Sequence, residues 1–79
     1  MPYIPIQDRR MINSGSPPMK AGELNYKLTK DILEYLGTEP NYQRFNDVLG
    51  ALECLKLELY RRVISPYEDQ KIRENTDVY

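Results

Sequence analysis

Residues 42–70 read YQRFNDVLGALECLKLELYRRVISPYEDQ, and the fold turns on how this stretch divides. At about 100° per residue, Phe45, Val48, Leu49, Leu52, Leu55, Leu59 and Val63 fall on one arc. That is the pattern of an amphipathic helix, and it predicts one over about 42–64. A second stripe, Gly50, Cys54, Leu57 and Ile64 with Arg61 among them, lies well round the same helix. A monomeric two-helix hairpin has no use for it, so these four residues are read as an interface. Gly50 and Cys54 form a small-xxx-small step that lets backbones approach closely. In SPYE, Ser65 suits an N-cap, Pro66 the first helical position and Glu68 the reciprocal place of a capping box. A break at 65 and a short third helix over about 66–74 are therefore expected. Arg61 and Arg62 then sit in the last turn of the long helix, where cations meet the negative dipole end. Glu58 stands three and four residues before them, within pairing reach.

Upstream, Leu24, Leu28, Ile32, Tyr35 and Leu36 predict an amphipathic helix over about 22–36, with Gly37 as its C-terminal stop. Glu23, Lys27, Lys30, Asp31 and Glu34 gather on its opposite face. Asp31 and Glu34 have a spacing that could bridge a metal ion, but they lie on the solvated face without a second pair. NSGSPPMKAG, residues 13–22, is a linker by composition. Residues 1–12 read as an extended lead, because Pro2 and Pro5 disfavour helix. The expected fold is all-α: a helical hairpin of 22–36 and 42–64, a short C-terminal helix, and an extended N-terminal lead. Residues 1–79 form a single small helical domain, of which 1–21 are lead and linker.

A chain of 79 residues buries only about 60–65% of its unfolded surface, so its own core is thin. Small scaffolds compensate with disulfides, metals or partner chains. Cys54 is the one cysteine and there is no histidine, which closes the first route and removes the usual zinc ligand sets. Self-association remains, and an oligomeric helical assembly is expected. Eleven basic and twelve acidic residues nearly cancel, which argues against a main task of gripping nucleic-acid backbone. No apolar run approaches the ~20 residues that cross a bilayer, and MPYIPIQDRR lacks the apolar stretch of a signal peptide. The expectation is a soluble, cytoplasmic protein with no membrane partner.

The chain also lacks catalytic equipment. Histidine, the commonest general base, is absent. The four glycines, at 15, 22, 37 and 50, are scattered rather than gathered into a phosphate loop. Cys54 has no histidine to activate it. No catalytic residue, metal ligand or cofactor is assigned, and the protein is read as a non-enzyme. What it does have is seven tyrosines against one phenylalanine and no tryptophan. Tyrosine offers a stacking face and a hydrogen-bonding tip, and arginine a rigid fork for phosphate or carboxylate. Tyr60, Arg61, Arg62, Tyr67, Lys71 and Arg73 crowd the 60–73 junction, and antiparallel packing would bring Asn25 and Tyr26 near it. The site expected there binds a nucleotide-like, phosphate-bearing small molecule. The plainer reading is that Tyr and Arg cement an oligomer, with Glu53, Glu58 and Glu68 as partners. A different class of function is a protein-interaction module docking through Leu57 and Ile64. A nucleic-acid-binding regulator is a weaker third, opposed by the balanced charge.

GELNY (22–26), GALECLKLELYRRVISPYEDQKIREN (50–75) and the closing DVY together resemble a family of short, functionally uncharacterised proteins from phages and bacterial genomes. The resemblance covers about residues 22–79, extends weakly to YIPIQDRR, and includes charged and aromatic positions as well as apolar ones. Two departures stand out. The family has a longer, helix-like segment where this chain has INSGSPPMKAG, and often glycine where this chain has Thr76. The resemblance implies the cytoplasm of a bacterial host and no particular activity. By analogy, small phage proteins of this kind include oligomers that sequester cyclic nucleotide signals of host defence.

Overall fold

The computed structural model describes residues 1–79 and is all-helical, as expected. The elements are α1 (Ile6–Asn13), α2 (Ala21–Leu36), α3 (Tyr42–Leu59), a π-turn (Tyr60–Ile64) and α4 (Ser65–Asn75). They fall into two compact units, Met1–Asn41 and Tyr42–Tyr79. The division lies between the two helices expected to form the hairpin.

The first unit corrects the expected lead. Residues 1–12 are not extended throughout, because the chain is helical from Ile6. Pro5 opens that helix rather than preventing it. Its carbonyl accepts the N–H groups of Asp8 and Arg9, both at 3.1 Å. A proline at a helix entry gives up an N–H that would have had no intrahelical partner anyway. Asp8 in the first turn favours the positive dipole end. After Asn13 the chain turns through Ser14 and Gly15, whose φ of 107° suits glycine. α2 begins one residue before its expected start and stops where expected. Gly37 takes φ 73° and its N–H donates to the Leu33 carbonyl at 3.1 Å. α1 packs on α2, and the buried residues are Ile12 and Tyr26. Near the start of α2, a Cβ on Gly22 would stand 3.1 Å from the Met1 carbonyl oxygen and 3.2 Å from Ile4 Cγ2. Glycine is what lets the lead lie this close.

The second unit corrects the expected break. Ser65 is not an N-cap: its φ of −60° and ψ of −46° are helical, and α4 includes it as a helical residue. Leu59 and Ile64 are helical as well, so α3 runs through the π-turn into α4. Pro66 explains the π-turn. A proline inside a helix has no N–H to give, and its ring collides with the carbonyl four residues back, here Arg62. Widening the preceding turn relieves that collision, and the Ser65 N–H reaches back to the Tyr60 carbonyl five residues away. The extra residue rotates everything beyond it by about 100° relative to a regular helix.

Within the second unit no residue is buried. Leu49 is 66% exposed and Val63 58%. The second stripe is open too, with Leu57 57% exposed, Cys54 at the surface and nothing within 4 Å of a Cβ on Gly50.

Candidate functional site

Tyr60, Arg61, Arg62, Tyr67 and Lys71 all lie on the π-turn and α4, and all are exposed. The π-turn decides how they meet. In a regular helix, residues eight apart sit about 80° out of line. One inserted residue brings them to within about 20°, the offset of a seven-residue step. Tyr60 Oη accordingly donates to Glu68 Oε1 at 2.6 Å. That hydrogen bond, together with the carboxylate's charge, raises the Tyr60 phenol above its ordinary pKa of 10.0. Tyr60 is thus a neutral donor at neutral pH, already engaged.

The arginines are engaged as well. Arg61 Nη2 stands 3.1 Å from Glu58 Oε2, and Arg62 Nε stands 2.8 Å from the same oxygen. One carboxylate therefore holds both guanidinium groups on the surface of their own helix. Lys71 Nζ stands 3.3 Å from Glu74 Oε2 and 5.5 Å from the centre of the Tyr67 ring, the geometry of a cation–π contact. Exposed pairs of this kind contribute about 0–1 kcal/mol each, so they direct the side chains more than they hold the helix. Lys71 also lines an open cleft of about 310 Å³ with Glu68, Ile72 and the tail from Asn75 to Tyr79.

Asn25 and Tyr26 stand in the first unit. Tyr26 is 8% exposed and belongs to the core of that unit. Its hydroxyl donates to Asn13 Oδ1 at 3.1 Å, and the Arg9 guanidinium lies 5.8 Å from its ring centre. Asn25 takes the Thr29 hydroxyl on its backbone carbonyl at 2.7 Å. Sequence reasoning passed over Arg9 because it lies in the stretch read as extended. Its signal was the basic pair RR at 9–10 standing one helical turn beyond Pro5. Asp31, from the carboxylate pair, stands 3.5 Å from Lys27. No group of three or more Cys, Asp or Glu side chains comes together to hold a metal ion. No helix is long and apolar enough to cross a membrane.

A family profile described as a domain of unknown function, DUF6899, matches residues 1–78. The chain belongs to that family. The match agrees with the resemblance to a functionally uncharacterised family, and it takes in α1 and the lead, which that resemblance touched only weakly. Comparison with curated proteins and with solved structures finds no match.

Proposed function

We propose that this protein acts without chemistry, as a homo-oligomer assembled through the helix of residues 42–75. The observation that carries this reading is the absence of any buried residue in that unit. Leucine, isoleucine and valine side chains each gain about 1.5–3 kcal/mol on full burial. A helix with this many of them on view gains more from a matching copy than from water. In proteins, packing of an apolar face supplies most of a helix's stability.

Native mass spectrometry of the purified chain tests the proposal. The expected spectrum is an oligomer that falls to monomer in Leu55→Asp, on the main arc, and in Leu57→Asp, on the second stripe. A wild-type monomer would overturn the assembly.

A second reading adds a ligand: a phosphate-bearing small molecule held by Tyr60, Arg61, Arg62, Tyr67 and Lys71. It is favoured by three exposed cations and two tyrosines sharing one short stretch of helix. Binding would require Arg61 and Arg62 to leave Glu58 for the ligand. The resemblance to phage proteins gives this reading its setting, the sequestration of a host signal. The same spectrum reads it as extra mass on the oligomer, absent in Arg61→Ala.

A further inference from the structure

The first unit holds a cleft of about 230 Å³ that no sequence argument singled out. Tyr3, Arg9, Tyr26, Thr29, Lys30 and Leu33 line it, and no carboxylate is among its lining residues. This is the reverse of the Tyr60–Lys71 stretch, where Arg61, Arg62 and Lys71 each face a carboxylate. Neither Arg9 nor Lys30 takes part in an ion pair. Arg9 is also fixed in place. Its Nε donates to the Ile4 carbonyl at 2.8 Å and its guanidinium lies over the Tyr26 ring. That leaves its terminal nitrogens as donors, and an anchored fork loses little freedom when it takes an oxyanion.

We infer that this cleft is a binding site for a small phosphomonoester bearing a flat organic group. Two cations without a compensating carboxylate match the charge of about −1.5 to −2 that such a phosphate carries at neutral pH. A carboxylate would neutralise only one of them. The Tyr26 ring and Leu33 provide apolar wall, and Tyr3 an aromatic face for the organic group. The volume admits a phosphate with a single ring and little more, since pockets for drug-sized ligands run to about 300–1,000 Å³. The site lies within residues 1–41 and is independent of the assembly proposed above.

The test is an amide-shift titration of the full-length ¹⁵N-labelled protein with phenyl phosphate, repeated with benzoate. Saturable shifts at Tyr3, Arg9, Thr29 and Lys30 are expected, with weaker binding of benzoate. Lys30→Gln should weaken phenyl phosphate by about tenfold, the loss of one charge-assisted contact. Lys30 is the better variant because it is exposed, whereas Arg9 also braces Ile4 and Tyr26. Lys27→Gln, which removes a cation already paired with Asp31, should bind as the wild type does. Absence of saturable shifts, shifts confined to Arg61–Lys71, or equal weakening by both lysine variants would each overturn the site.

Discussion

Thr76 ends α4 with φ 68° and ψ 151°, a region of backbone space that is almost wholly glycine's. A β-branched residue held there costs on the order of 1–3 kcal/mol. The Thr76 hydroxyl donates to the Asn75 carbonyl beside it. Thr76→Gly should therefore relieve the end of the helix, with a net gain of about 1 kcal/mol once the greater freedom of glycine in the unfolded chain is subtracted. The gain belongs to the last turn rather than to global melting, so hydrogen exchange is the measurement. Slower exchange of the amides of Ile72 to Asn75 is expected, and faster exchange would show that threonine is accommodated without strain. Tyr26 gives a contrasting lesson at the same scale. It was read as a ligand-site tyrosine, but its role depended on Arg9 and Asn13, which α1 delivers. A residue's part in a site cannot be read when the element opposite it has been missed.

The elements were legible where their signals were local and unambiguous. α2 lies where its apolar spacing put it, and Gly37 stops it with the positive φ that glycine permits. α1 was lost because Pro2 and Pro5 were weighed as breakers, although a proline at a helix entry obstructs nothing. Eight residues with one buried side chain, Ile12, also leave little periodicity to detect. SPYE was read as a cap because a serine–proline–acid run looks the same at a helix start and in a helix interior. The decision between them is made by the preceding turn, which here widens by one residue instead of ending. Pro66→Ala restores the missing N–H and removes the ring, so the π-turn should close to a regular ladder. Helicity should rise, with a stability gain of about 1–3 kcal/mol, bounded by the cost of an interior proline. Closing the turn also carries Glu68 about 80° away from Tyr60 and breaks their hydrogen bond. Because Glu68 raises the Tyr60 pKa, its departure should lower that pKa towards 10.0. The corresponding pH effect has one sign: the bond contributes below the phenol's ordinary pKa and is lost as pH climbs through the raised one. Titration of labelled tyrosine by NMR reads the shift directly, and an unchanged Tyr60 titration in Pro66→Ala would refute the coupling.

At the scale of the molecule, the apolar pattern of residues 42–64 was fully legible while its burial was not, because burial is a property of what lies opposite. The two buried side chains, Ile12 and Tyr26, are both in the first unit. If the helix of residues 42–75 finds its cover in further copies of the chain, its stability must depend on how many copies are present. For a dimer, each tenfold rise in concentration adds about 1.4 kcal/mol to apparent stability. In a domain of this size that moves the melting midpoint by about 5 °C or more. Thermal melts followed by helical circular dichroism across a hundredfold range of concentration should therefore shift upward with concentration, and Leu55→Asp should abolish the shift. A midpoint that does not move would mean that each chain melts alone, and copies of the chain would then not be what covers the arc. The distinction is sharp because a self-contained helix gains nothing from its neighbours, whereas an assembled one owes its folded state to them.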